Sequence, residues 1–484
     1  MTLTAGADPM ERPPRPLAEH VVLPTVEGTA YASLSRRPVS RDERYRIGRG
    51  LRAQVPRSAL AAWTPSDQRP DPVDQVIAAN QGRLEWLIPV RVGRMIASPY
   101  AFLRGTAGIM ARDFAALPAT GITPVICGDA HLGNFGFYAS PERDLVFDLN
   151  DFDEAHPGSW EWDLRRLVTS VWVAGRQNGC SDDDAATAVR SCVGAYRGEV
   201  RELARQPLLS RGFERLDMAR LHRETSDAGL RHEIARAARR ARTRTSDRAL
   251  PRLTERRDGV RRIIEDPPRV TRVGQRDAEL LAVALDEYLV TLGTQWRRVL
   301  AGYTLVDVAH KVVGVGSVGL RAYVALCEGS SPDDVVFLQL KEARRSVVAP
   351  FVHGDNALHA HQGQRVVEYQ QALQTVSDPL LGWTTADDRQ YYVRQWRDMK
   401  GAIAIDGIDA RALSDYAGVC GHLLAKGHAR TSGASMIAAY VGRSQRLDDA
   451  LVRFARSYAD QTEKDHRALV DAVDRGVLPA ERGI

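Results

Sequence analysis

Residues 125–155 read VICGDAHLGNFGFYASPERDLVFDLNDFDEA, in which short apolar runs alternate with carboxylates. TPVICGD and DLVFDLND have the length and the β-branched or aromatic content of strands, and SPER between them has the chemistry of a turn. Rigid strands on either side of a polar loop hold its side chains in place, which is what a site needs. Asp129 and Asn134 stand five apart in GDAHLGN, and Asp151 follows seventeen residues later in NDFDEA. Phosphoryl transfer uses such a set: one carboxylate to orient the attacking hydroxyl, an amide and a second carboxylate to hold Mg²⁺. Mg²⁺ takes oxygen ligands and keeps several waters, so Asn134 and Asp151 suffice, with Asp153 as a further candidate. In this reading Glu142 and Asp144 only decorate the hairpin turn; the competing reading is that all of these acids cap helices and pair with arginines.

A second pattern lies far downstream. GVGSVG (314–319) follows the strand-like DVAHKVV and precedes the strand-like LRAYVAL. A dinucleotide fold would continue with a helix. Strand–glycine-loop–strand instead suits a cover over phosphates, where Gly314, Gly316, Ser317 and Gly319 let backbone N–H groups approach an anion. A plain hairpin is the alternative. Lys341, in VFLQLKEA, falls on the next strand, and Glu368 in QGQRVVEYQQ is its expected ion-pair partner. Neighbouring Glu342 points to the other face of its strand.

Composition sharpens the lysine. The chain holds 66 Lys plus Arg, of which five are Lys (Lys311, Lys341, Lys400, Lys426, Lys464), leaving 61 Arg. A lysine surviving in so Arg-rich a chain marks a place where a compact ammonium is needed. Arg91, Arg94 and Arg104 precede the acidic segment, and a guanidinium fork such as that of Arg104 fits a phosphate. The run 231–262 carries twelve Arg against four acids but no interleaved aromatics, which favours a solvated helical insertion over a nucleic-acid surface.

The pieces sit in helical, then β-rich, then helical sequence. The expected divisions are an extended N-terminal arm (1–75), a helical part with the acidic loops and the Arg-rich insertion (76–300), a β-rich part with the glycine loop (301–402), and C-terminal helices (403–484). RQYYVRQWRDMKG (389–401) is expected to link the parts, with Asp398 and Lys400 near a cleft mouth. Five scattered cysteines, no run of eighteen apolar residues and a polar N-terminus suggest a cytoplasmic protein with free thiols and no membrane partner.

Asp-x₄-Asn followed by Asp-Phe-Asp resembles the catalytic and metal motifs of the protein-kinase-like superfamily, above all its aminoglycoside phosphotransferase and choline kinase branch. WEWDL (160–164) is similar to that branch's W-x-DL helix start. The resemblance implies Asp129 as catalytic base with His131 beside it, Asn134 and Asp151 on the metal, and a structural Asp163. Cys127 stands where the branch has its first His, and Asp153 where protein kinases have Gly. The motif order is reversed, with the catalytic segment ahead of the glycine loop, and AGVCGHLLAKGHARTSG (417–433) resembles a helix that normally precedes the catalytic loop. A circularly permuted, two-lobed α+β kinase-like fold with extra helices follows, and neighbouring termini make such permutation feasible.

Over nearly its whole length the chain also resembles the bacterial domain-of-unknown-function family 2252, through RVGRMIASPYAFLRG, CGDAHLGNFG, FDLNDFDE, KVVGVGSVGLRAY, LQLKEARRSV and RDMKG. That family carries no established activity. The expected function is ATP- and Mg²⁺-dependent phosphoryl transfer to a hydroxyl-bearing small molecule. Alternatives are nucleotidyl transfer in the same site, a nucleotide-binding pseudokinase or adaptor, and, less well supported for want of upstream D-x-H and downstream GNH motifs, a metallophosphoesterase.

Overall fold

The computed structural model describes residues 39–483 except 258, 313, 353–358 and 432. The protein is a mixed α+β structure, 53% helix and 15% strand. Residues 1–38 of the expected N-terminal arm lie outside the described residues. The described remainder, 39–75, combines a helix and the 3₁₀ turn Arg57–Ala61 with irregular chain at 62–71. Ser40 caps a helix, Arg41–Gln54, by accepting the Glu43 N–H, and Gly48 on that helix is buried against the Ala434–Val441 helix. The Ser40 cap and the packing of Gly48, with half-buried Ile47 and Leu51 beside it, account for the helix.

β1 (Val125–Ile126), β2 (Phe135–Ala139), β3 (Leu145–Leu149) and β4 (His156–Pro157) form two small antiparallel ladders, β2 with β3 and β1 with β4. The end of the Arg-rich run is not helical: β5 (Thr254–Arg257) and β6 (Val260–Ile263) make a hairpin after the helices Ala228–Arg242 and Ser246–Leu253. Leu230, Ile234, Ala237, Ala238 and Ala241 give the first of these helices a buried stripe, with arginines turned outward.

β7 (Val270–Arg272), β8 (Thr304–Lys311), β9 (Ala322–Glu328), β10 (Val335–Glu342), β11 (Gly382–Ala386) and β12 (Arg389–Gln395) build one antiparallel sheet in the order β11-β12-β10-β9-β8-β7. Leu338 and Leu340 face a core with Leu281, Leu285 and Tyr288 of the helix Gln275–Leu289. Phe337, one residue away, faces Leu250 and Ile263 on the other side. Burial on both faces explains why β10 reads as a continuous apolar run and not as an alternation.

The helical part centres on Trp160–Gln177, buried on nearly all sides, and Asp182–Leu203, opened by a Ser181–Asp184 capping box. Ala410–Thr431 lies against the latter so closely that a Cβ on Gly421 would meet the Cys192 carbonyl oxygen at 2.1 Å. The segment after β12 runs along β2: the Phe137 N–H donates to Gly401 O at 2.7 Å, and the Ala139 N–H to Asp398 O at 3.1 Å. Residues 389–401 thus tie the six-stranded sheet to the acidic hairpin. Among the described residues no helix is long and apolar enough to cross a membrane, and the five cysteines are unpaired.

Candidate functional site

Asp163, in the first turn of Trp160–Gln177, accepts the backbone N–H groups of Cys127 (2.6 Å) and Gly128 (2.8 Å). His428, from the helix Ala410–Thr431, lies 3.2 Å from the same carboxylate, with its other ring nitrogen 2.9 Å from Tyr196 Oη. All three side chains, Asp163, His428 and Tyr196, are fully or almost fully buried. The turn they secure is a close fit: Gly128 has φ +76°, and a Cβ there would fall 2.3 Å from the Glu154 carbonyl oxygen. This scaffolding ties the 127–129 turn to two helices, and it aims Asp129.

Asp129 is held by the guanidinium of Arg166, one helical turn beyond Asp163. Burial pushes the Asp129 carboxyl up and Arg166 draws it down, while Glu154 and Asp151 push it up again; the net result is about 7. The carboxyl remains one-fifth exposed, open to a solute. Asn134 donates from its side-chain amide to the Asp129 carbonyl. His131 accepts the Gly133 N–H at Nδ1 (3.0 Å), so its proton is on Nε2, 3.9 Å from Asp129 Oδ2. Burial, with Arg104 and Arg166, holds this imidazole far below its usual range and hence neutral.

Lys341, on β10, reaches the same place from the sheet. Its Nζ donates to Asp153 Oδ2 at 2.8 Å and lies 3.9 Å from Asp151 Oδ1. Burial works against the ammonium's charge, but Asp151 and Asp153 raise its pKa above the usual lysine value. Asp153 also accepts Tyr392 Oη (2.6 Å, Oδ1) and Ser317 Oγ (3.0 Å, Oδ2). Burial opposes its charge, yet Lys341, Tyr392 and Arg394 together hold it well below the usual carboxylate range. Both Asp153 oxygens are therefore engaged by protein donors, unlike the open ligand expected from its place in DFD. Asp151 Oδ1, in contrast, is a buried oxygen with no hydrogen-bond partner.

Asp129, His131, Asn134, Asp151, Asp153 and Lys341 line one cleft of about 710 Å³ with Gly314, Gly316, Ser317 and Arg104. The 314–317 segment forms a single 3₁₀ turn at Val315–Ser317, between β8 and β9, and a Cβ on Gly314 would meet nothing within 4 Å. Arg104 presents a buried, unpartnered Nε. Arg91 also borders the cleft, but its ends are spent on Asn80 Oδ1 (2.7 Å) and Gly105 O (3.0 Å).

Two expectations are corrected. Gly319 is outside the cleft: it packs on Arg83, and its carbonyl accepts the Leu84 N–H at 2.8 Å. Glu368 does not meet Lys341; it lies 2.9 Å from His359 Nε2 and accepts Gln364 Nε2 at 2.8 Å. The helix Gln362–Leu373 turns Arg365 toward the site, and Arg365 donates to the carbonyls of Ala155 (2.6 Å) and Asp153 (2.8 Å). Asp153, close in sequence to the acidic loop, outcompetes Glu368 for the lysine.

Sequence reasoning missed Arg166, Arg365, Tyr392 and His428. Only Arg166 had a local signal, in the DLRR following the W-x-DL start. Asp148, on β3, pairs with Lys426 in the interior, and Lys426 also donates to Thr375 Oγ1 at 3.1 Å. Lys341 and Lys426 thus both occupy buried ion pairs, as the scarcity of lysine suggested. Asp398 is buried and pairs with Arg143.

Among the described residues no group of three or more His, Cys, Asp or Glu is placed to hold a metal ion. Cation binding here would fall to Asn134 and to Asp151, whose Oδ1 accepts no hydrogen bond, a sparse donor set completed by water and phosphate.

No curated protein and no solved structure matches the chain. A family model described as an uncharacterised protein conserved in bacteria matches residues 83–472, which hold the acidic loops, the glycine turn, Lys341 and His428. The chain therefore belongs to the bacterial DUF2252 family.

Proposed function

We propose that the protein is an ATP- and Mg²⁺-dependent phosphotransferase acting on a hydroxyl-bearing small molecule, on a circularly permuted kinase-like fold. One observation carries the reading: Lys341 meets Asp151 and Asp153 beneath the 314–317 turn, on the wall that also holds Asp129 and Asn134. An anion-binding turn, a lysine, a metal-type carboxylate–amide pair and a carboxylate base are the parts phosphoryl transfer requires. Arg104 adds a second cation with free donor capacity. The donor set fits Mg²⁺, which when bound would neutralise charge on the phosphates.

The chain's own groups would divide the work. The backbone at Gly314 and Gly316, with Lys341, grips phosphate oxygens. Phosphate drawn to Lys341 competes with Asp153 for the ammonium. Asp129, fixed by Arg166 and the Asp163 scaffold, accepts a hydrogen bond from the acceptor hydroxyl and takes its proton. His131 stays neutral and buttresses Asp129 from the side.

The test is thermal denaturation with ATP and Mg²⁺, wild type against Asp151→Ala, followed by transfer assays with α- and γ-labelled ATP. A ligand at a hundred times its Kd stabilises by about 2.7 kcal/mol. The reading requires a nucleotide- and Mg²⁺-dependent rise in Tm that Asp151→Ala abolishes. An absent shift in the wild type sinks it. Transfer of the α label would convert the reading to nucleotidyl transfer, and binding without turnover to a pseudokinase.

A further inference from the structure

A second cavity, of about 730 Å³, shares no lining residue with the cleft. It opens where the helix Arg41–Gln54 meets the C-terminal ends of Asp182–Leu203 and Ala434–Val441. Arg41, Arg46, Arg49 and Arg52 line it from the first helix, with Tyr45. Arg201, Arg205 and Arg443 close the other side, and no carboxylate lines it.

Some of these arginines have ordinary structural work. Arg52 donates to the carbonyls of Tyr440 (2.9 Å) and Ala439, and Arg41 to that of Arg205 (2.9 Å), satisfying groups at helix C-termini. Arg46 and Arg205 pair with Glu43 and Glu202 on their own chain segments. Arg49, Arg201 and Arg443 remain. Among the described residues their side chains make no hydrogen bond or ion pair.

The cost of this arrangement is visible in the neighbours. Arg52 is shifted down by burial and by Arg57 and Arg49; Arg201 by burial and by Arg443, Arg205 and Arg197. Arg46, Arg49 and Arg52 also stand three residues apart along the first helix, where like charges a turn apart destabilise an isolated helix. An Arg-rich composition supplies many exposed arginines, but it does not bring unpaired ones from three distant segments into one concavity. A bound polyanion would remove the repulsion.

We infer that this cavity binds a small molecule bearing two or more phosphate groups. Guanidinium forks match phosphate oxygens in pairs, and three free forks call for more than one phosphate. The volume is that of a small-molecule pocket. Tyr45 alone offers an aromatic face, so the stacking platform of a single-strand nucleic-acid site is missing.

The test is isothermal titration of the full-length protein with inorganic tripolyphosphate. Three proteins are compared: wild type, the triple variant Arg49→Gln/Arg201→Gln/Arg443→Gln, and Lys341→Ala. The triple variant should bind at least about a hundredfold more weakly, since charged hydrogen bonds are lost at three positions, and Lys341→Ala should retain this binding. The triple variant's melting temperature without ligand should be unchanged or higher, since the mutual repulsion of its arginines is relieved. The inference is overturned by wild-type protein that does not bind, by unchanged binding in the triple variant, by loss confined to Lys341→Ala, or by binding of single-stranded oligonucleotide in place of tripolyphosphate. Should the triple variant fail to fold, Arg49→Gln alone is read the same way, with about tenfold weakening expected.

Discussion

Lys341 and Asp151 are 190 positions apart in the chain and 3.9 Å apart in space, with Asp153 at 2.8 Å completing the pair. A strand of the six-stranded sheet and the end of a separate acidic hairpin supply the partners. The contact joins the two halves of the cleft, and its disruption tests both stability and nucleotide binding.

Lys341→Met removes the cation and leaves Asp153 buried with only Tyr392 and Ser317 as donors. Breaking one side of a buried pair costs about 3–5 kcal/mol. Asp153 is partly open to the cleft, so the lower end is expected, read as a reduced denaturation midpoint. The same variant should lose the ATP-dependent rise in Tm.

Asp129 predicts a pH profile. Its carboxyl is ionised only above about pH 7, so transfer should climb through that value and level off above it. Asp129→Asn should lower the rate by about 10²–10⁴-fold and remove the inflection. For stability the sign is opposite. The folded pKa is raised above the unfolded value near 4, so the neutral carboxyl's advantage is complete below about pH 4 and is lost as pH rises through about 7. Chemical denaturation at pH 5 and pH 8 measures the difference.

Asp163→Ala leaves the Cys127 and Gly128 N–H groups without their acceptor. Each orphaned buried donor costs about 1–3 kcal/mol, so the unfolding free energy should fall by several kcal/mol, on the order of the sum of the two. Asp163→Asn retains an acceptor oxygen and should lose less. Equal losses in the two variants would remove the scaffold role assigned to this carboxylate.

Gly128→Ala meets both a positive φ and the Glu154 carbonyl at 2.3 Å. The turn must shift, which should lower stability by more than the ~1 kcal/mol typical of helix-interior changes at glycine and should weaken transfer more than nucleotide affinity. Gly314→Ala, which meets nothing within 4 Å, is the control and should leave stability unchanged while disturbing phosphate binding.

The local elements were legible because local rules make them. Short apolar runs around SPER become β2 and β3, and the runs flanking GVGSVG become β8 and β9, since strand content and turn chemistry act over a few residues. The composition carried a further message, because lysines left among 61 arginines include the two in buried ion pairs. Partner choice is another matter. Asp153 takes Lys341 from Glu368, Arg166 anchors Asp129, and His428 reaches Asp163 across 265 positions. Helical phase at Gln362–Leu373 turns Arg365 inward and Glu368 aside. Such pairings follow from how helices and sheet pack and from which charges burial then forces together. The sequence determined which chemical groups the protein has and the short elements that carry them; the tertiary structure alone decided which of those groups meet.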